Sequence, residues 1–193
     1  MSKEMKIKTF DRILDVTQDL IQTRGYSSIS FSEIALLVGI KKPSVIHHFP
    51  SKSALVKAVV VRYRSFFSNA LNQISESKDK TALQALEFYF IPYIDVGSLG
   101  QKICLCGALA GEFTALPQEI QNEVRLFFRD HQSWLEGILT RGKNSKEFHF
   151  DDSPSKLAAL FLGALQGALV VQRASGNLNY IQDVIIGLKM KLL

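Results

Sequence analysis

The sequence predicts an all-α fold of about nine helices, and three observations predict it. Glycine and proline number only 12 and 5 in 193 residues, too few to punctuate a β-rich chain. Strand-like alternation is hard to find. Apolar residues recur at helical spacing almost throughout. Hydrophobic residues make up 47% and charged residues 21%, a balance that buries a real core and argues against disorder.

The first helix runs from Lys8 to Thr23, where Phe10, Ile13, Leu14, Thr17, Leu20 and Ile21 form one stripe, and Gly25 stops it. Ser30 and Glu33 make a capping-box pair opening a second helix that ends at Gly39. Pro43 suits the first turn of a very short third helix, about Lys42 to Phe49, which Pro50 closes. Ser51 caps a long fourth helix reaching about Ser77. Helices then follow at Lys80 to Asp95 and Lys102 to Ala115, separated by a glycine-containing break at Gly97 to Gly100, and packing is expected to be least regular around Pro92 and that break. Pro117 opens another through Arg141, and "GKNSKEFHFDDSPS" is a loop. Ser155 to Ser175 and Tyr180 to Leu192 finish the chain. No internal repeat or low-complexity segment interrupts this order.

Charge is unevenly placed. Residues 1–64 hold eleven Lys/Arg against five Asp/Glu, whereas residues 65–193 hold twelve against thirteen. A basic first third is the footprint of a nucleic-acid or acidic-surface contact, or else of a solvated face. The N-terminal stretch MSKEMKIKTFDRILD has no apolar signal core. The most apolar run, Leu157 to Val171, is short of the ~20 residues of a membrane span and contains Gln166. With two cysteines and no such signal, the expectation is a cytoplasmic protein with reduced thiols and no membrane partner.

The stretch "SEIALLVGIKKPSVIHHFPSKSALV" fits a helix-turn-helix at its demanding positions. Ala35 is small where two helices approach, Gly39 can take the turn's positive φ, and Val45 is apolar where the third helix packs back. With Val45 and Phe49 inward at i and i+4, Ser44, His47 and His48 are left nearer the outside. Lys41 and Lys42 flank the helix start, as phosphate clamps flank base-edge readers. A solvated αα-hairpin is the alternative. As neighbours on a helix, His47 and His48 diverge by about 100° and cannot share a metal.

From "ILDVTQDLIQTRGYSSISFSEIALLVGIKKPSVIHHFPSKSALV", the chain resembles the DNA-binding domain of TetR-type transcriptional regulators. The Arg-Gly-Tyr after the first helix, Ile-Ala in the second, the glycine before the third and Phe-x-Ser-Lys entering the fourth carry the resemblance over residues 8–60. It implies a homodimeric, usually repressing, operator-binding protein whose C-terminal helical domain binds an inducer. Ser30 and Ser32 match phosphate-touching positions, and Lys41, Lys42 and Ser44 match base- or phosphate-contacting ones. His47 matches the family histidine, and Lys52 matches the phosphate-contacting lysine opening the fourth helix. Ile46 and His48 stand where tyrosines are commonest and Pro43 where glycine is frequent, so Ile46 is expected against a thymine methyl instead of a phosphate. The expected domains are residues 1–50 for DNA and 51–193 for ligand binding and dimerisation.

The C-terminal helices are aromatic enough to enclose a cavity. Phe67, Phe88, Phe113, Trp134 and Gln166 are its candidate lining, with plain core packing the alternative for each. In "KICLCGALAGEFTALP", Cys104 and Cys106 would point about 200° apart on a helix and cannot share a metal. That segment is similar to the Cys-Leu-x3-Leu-x2-Glu stretch of the electrophile- and oxidant-sensing subgroup, which implies Cys104 as a reactive cysteine; read as a residue alone, it is a small buried hydrophobe. Ala159, Gly163 and Gly167 recur at i, i+4 and i+8 in a helix too apolar for a free surface, and with Gly187 they are the expected dimer interface, with internal packing alone the alternative.

No nucleophile–base pair, metal-ligand cluster or glycine-rich phosphate loop appears, so no enzyme, metal or cofactor is expected. The expected partners are double-stranded operator DNA, a second copy of the chain and a small-molecule or electrophile inducer. The alternative is a DNA-binding helical protein acting through a protein partner.

Overall fold

The computed structural model describes residues 3–77 and 79–192, with side chains from residue 8 onward. Met1 and Leu193, the outer ends of the two expected domains, lie outside the described residues, as do Ser2 and Lys78. Among the described residues the fold is all-α with no strand, in nine α-helices: α1 (Lys3–Arg24), α2 (Phe31–Val38), α3 (Lys42–His48), α4 (Lys52–Glu76), α5 (Ala82–Ser98), α6 (Leu105–Gly111), α7 (Gln118–Asn144), α8 (Pro154–Ser175) and α9 (Tyr180–Met190). A 3-10 turn at Phe113–Ala115 lies between α6 and α7.

The chain divides into two compact units, Met1–Ser65 with Leu105–Leu126, and Phe66–Cys104 with Phe127–Leu193. In the first, α1 packs on α2 and α6, and α2 packs on α3. Its buried side chains include Ile13, Ile21, Ile34, Val45, Leu55, Leu109 and Ile120. In the second, α8 packs on α5 and α9 over a core that includes Leu86, Phe90, Leu135, Phe161 and Leu165. Gln172 ties these three helices together: its side-chain amide donates to Gly97 O at 2.8 Å, and its oxygen accepts from the Ile181 N–H at 2.9 Å.

Several local expectations change. Ser30 accepts from the Glu33 N–H at 3.2 Å, but the Glu33 carboxylate pairs with Arg24 at 2.6 Å instead of returning to the cap. The reciprocal capping box belongs to Thr81 and Gln84, which open α5. Running through Pro92, α5 continues past the expected end at Asp95 to Ser98, with Gly97 buried under Gln172. The expected helix from Lys102 to Ala115 shrinks to α6, which begins only at Leu105, followed by the 3-10 turn. At 22 residues, α8 is long and apolar enough to cross a membrane by length and composition, contrary to expectation; its inner face, including Leu157, Phe161 and Leu165, is buried within its unit.

Candidate nucleic-acid interface

Two helices and one glycine build the reading head. Gly39 ends α2 at φ 75°, in the left-handed region, and the Ile40 N–H closes back on Ala35 O at 2.9 Å. That sharp reversal throws α3 across α2. Pro43 sits in its first turn, where no N–H is needed, and the Phe49 N–H caps the other end on Val45 O. Val45 is fully buried and Phe49 nearly so. The rest of the helix is therefore turned outward: Lys41, Lys42, Ser44 and His47 are exposed, and Ile46 is 44% exposed. His48 is half-buried, edge-on to Phe10 of α1 with ring centroids 6.1 Å apart. Among the described residues neither Lys41 nor Lys42 enters an ion pair, so both ammonium groups face solvent.

The flanking positions are equally well placed. Ser30 is the N-cap of α2, and Ser32 is exposed in its first turn. Lys52 opens α4 with its ammonium 4.3 Å above the Tyr26 ring and 3.5 Å from Ser27 O. Burial pulls its pKa below the usual lysine value, and Glu112 works against that fall. Sequence reasoning missed Glu112 altogether as part of this region: its carboxylate binds the Tyr26 and Ser27 backbone amides across more than eighty residues of chain. Only the Arg-Gly-Tyr glycine hinted at a close approach there.

The second unit gathers some of the expected ligand residues and separates others. Phe67 stands edge-on to Phe127 and near His131, and Trp134 stacks on Tyr89 at 5.2 Å while its N–H reaches Leu71 O at 2.9 Å. Gln166 donates to the Tyr93 hydroxyl at 3.2 Å. A polar chain threads this aromatic cluster, from Gln166 through Tyr93 and Tyr89 to His131 Nδ1, 3.0 Å from the Tyr89 hydroxyl. Burial pushes the His131 pKa down to about 4, so the ring is neutral at pH 7. Tyr89, Tyr93 and His131 were not among the expected lining residues, since two more tyrosines in an aromatic-rich domain and a lone histidine on an apolar helix face look like ordinary core. Phe88 points outward, 37% exposed, and Phe113 belongs to the first unit, under the Arg125 guanidinium. Cys104 and Cys106 are both buried, and neither is in a disulfide among the described residues. Cys104 precedes α6 and does not occupy its first turn.

Ala159, Gly163 and Gly167 of α8 and Gly187 of α9 are all exposed on the protomer, and a Cβ at any of the three glycines would meet open space. Leu160, Val170, Ile186 and Met190 lie exposed on the same two helices. Among the described residues no group of histidine, cysteine or acidic side chains is arranged to hold a metal ion.

A helix-turn-helix that buries Val45 and Phe49 while presenting lysine, serine and histidine outward defines a DNA-binding protein. Comparison with known proteins narrows this. Residues 13–59 match the family described as "Bacterial regulatory proteins, tetR family" and residues 82–188, more than half the chain, match "Tetracyclin repressor-like, C-terminal domain". A TetR-family regulator from Agrobacterium tumefaciens is 29% identical, covers 97% of this chain and all of its own, and superposes with a TM-score of 0.90. A TetR regulator from Legionella pneumophila is 30% identical over 94% of this chain and 96% of its own, with a TM-score of 0.85. The biofilm operon negative transcriptional regulator IcaR of Staphylococcus aureus is 24% identical over 130 residues, 61% of this chain and 68% of its own length. The chain belongs to the TetR family: it is a transcription regulator with a helix-turn-helix DNA-binding domain, and not an enzyme.

Proposed function

We propose that the protein is a ligand-responsive repressor that binds a near-palindromic operator as a homodimer and is released by a small-molecule or electrophile inducer. The single observation that carries this reading is α3, whose outward side is composed for DNA and whose inward side is packed. Two-fold symmetry would set two such helices in successive major grooves, about 34–36 Å apart. Lys41, Lys42, Ser30, Ser32 and Lys52 meet phosphates in this reading; Ser44, Ile46, His47 and His48 meet base edges or their margins. Repression draws support from IcaR, a negative regulator.

In the same reading, residues 1–50 read DNA and residues 51–193 bind ligand and dimerise. The exposed small-residue face of α8 and α9 joins two copies, since an apolar surface of that kind is unfavourable in water. The inducer enters the second unit beside Phe67, Trp134, Gln166 and the Tyr89–His131 pair, where apolar walls meet a few convergent polar groups. Helix α4 belongs to the first unit through Ser65 and to the second from Phe66, which makes it the natural lever. A hundredfold loss of operator affinity needs a coupling of roughly 2.7 kcal/mol. A regulator of this kind works in the cytoplasm.

Selection of genomic fragments by the purified protein tests the reading: enrichment of a short near-palindrome is expected. A mobility-shift assay with no preference for any selected duplex over random DNA overturns it. The electrophile branch ends if a Cys104→Ser protein still releases DNA on electrophile treatment.

A further inference from the structure

We propose that Glu112 is a positioning residue of the DNA-reading head: its carboxylate fixes the loop between α1 and α2, and through that loop it sets Lys52 and the start of α2 for phosphate contact. The proposal rests on the DNA-binding reading above.

Glu112 follows α6 directly and precedes the 3-10 turn. Its carboxylate accepts three hydrogen bonds from two consecutive residues. The Tyr26 N–H donates to Oε1 at 2.6 Å, the Ser27 N–H to Oε2 at 3.0 Å, and the Ser27 hydroxyl donates to Oε2 as well. Two successive amides held by two oxygens of one planar group fix the orientation of the peptide between them. Gly25 makes the approach possible. It sits at φ 84°, and a Cβ there would overlap Glu112 Oε1.

The held loop passes its position on in two directions. The Tyr26 ring lies beneath the Lys52 ammonium, and Ser27 O accepts from that same ammonium. Ser30, three residues further along, is the N-cap of α2. The lysine that opens α4 is thus located by the very residues Glu112 holds. Electrostatics alone argue against an acid here. Burial raises the Glu112 pKa, but the Ser27 and Tyr26 hydrogen bonds and nearby Lys52 outweigh it and hold the carboxyl below the usual carboxylate range, so it is an anion at neutral pH. An anion beside a phosphate-binding lysine weakens attraction to DNA. What it supplies in return is geometry.

Full-length wild-type, Glu112→Gln and Ser27→Ala proteins are titrated, across salt concentrations, against the duplex that the wild type selects and against a random duplex. Glutamine has the same shape, but one of its two ends is a donor and cannot accept from all three groups. The expected result for E112Q is about tenfold weaker binding to the selected duplex and a salt slope reduced by about one. Random duplex should lose less, because removing the anion beside Lys52 strengthens non-specific attraction and offsets the displaced lysine, and hydrogen exchange at the Tyr26 and Ser27 amides should quicken. S27A keeps the charge and both backbone bonds, so it should show a smaller loss confined to the selected duplex. An E112Q protein that matches the wild type on both duplexes, or binds both more tightly, overturns the proposal by making Glu112 a mere surface charge. Equal weakening on both with a lowered melting temperature overturns it by making Glu112 a residue of the fold. Should E112Q fold poorly, S27A decides alone, and unchanged discrimination in S27A overturns the proposal. A wild type that selects no duplex removes the DNA-binding reading itself and the proposal with it, an outcome set apart because it concerns the wild type.

Discussion

His131 carries the clearest single-residue consequence. An unfolded histidine titrates near 6.5, and burial holds this one down to about 4. Between those values the unfolded chain binds a proton that the folded chain refuses. Stability is therefore complete above pH 6.5, falls as pH drops, and loses about 3 kcal/mol by pH 4. Melting curves between pH 7 and 4.5 should show this slope, and a His131→Phe protein should lack that part of it. At the DNA face, the exposed lysines and Ile46 should separate by kind. Lys41→Ala and Lys42→Ala each weaken binding on every sequence and lower the salt slope by about 0.9. Ile46→Ala leaves the slope alone and relaxes preference at one base pair, by roughly 1 kcal/mol. Mobility shifts at several salt concentrations on mutated duplexes distinguish the two.

At the scale of elements, the turn between α2 and α3 isolates one backbone cost. A Cβ at Gly39 would touch nothing within 4 Å, so only the left-handed φ of 75° opposes a side chain there. Gly39→Ala should lower stability by about 1 kcal/mol in urea denaturation, with no repacking contribution. This turn was legible in the sequence because its signals are local: Ala35, Gly39, Val45 and Phe49 fall within fifteen residues and obey helical spacing. The same holds for the Ser30 and Ser51 caps, each accepting an N–H three residues on; the Ser153 cap of α8 reads as loop. What stayed hidden depends on partners far along the chain. Gly97 reads as the start of a break, yet α5 runs through it to Ser98 with Ala85, Leu86, Tyr89, Phe90, Tyr93 and Gly97 buried along the whole helix. Residues 102–104 read as helical from their apolar pattern, but Ile103 and Cys104 are buried without forming a turn. Glu112 enters the sequence only as the glutamate of the Cys-Leu-x3-Leu-x2-Glu stretch; nothing nearby in sequence announces Tyr26 and Ser27.

For the molecule as a whole, the expected second copy gives opposite signs to one substitution. Gly163 and Gly167 lie in the interior of α8 with open space where a side chain would go. Gly→Ala at either position should stabilise an isolated protomer by roughly 1 kcal/mol through helix propensity. If two copies press together at these glycines, the added methyl groups hold them apart. Sedimentation of the Gly163→Ala/Gly167→Ala protein should then show a raised dimer dissociation constant and, with it, weaker operator binding. A dimer unaffected by both changes moves the interface elsewhere. The spacing singled these small residues out as a face for close helix packing, and the structure leaves that face exposed. The aromatic interior could be read only as composition. Which rings meet, and that Tyr89, Tyr93, His131 and Gln166 share one hydrogen-bonded chain, depends on how α5, α7 and α8 are brought together.

Gln172 sets a rule for which sequences can inherit this scaffold. Its one amide group must give a proton to Gly97 O and receive one from Ile181, from a residue that is 2% exposed. Glutamate lacks the proton, leucine lacks both functions, and asparagine falls one methylene short. In a library saturated at position 172 and screened for folded protein, survivors should be almost all glutamine.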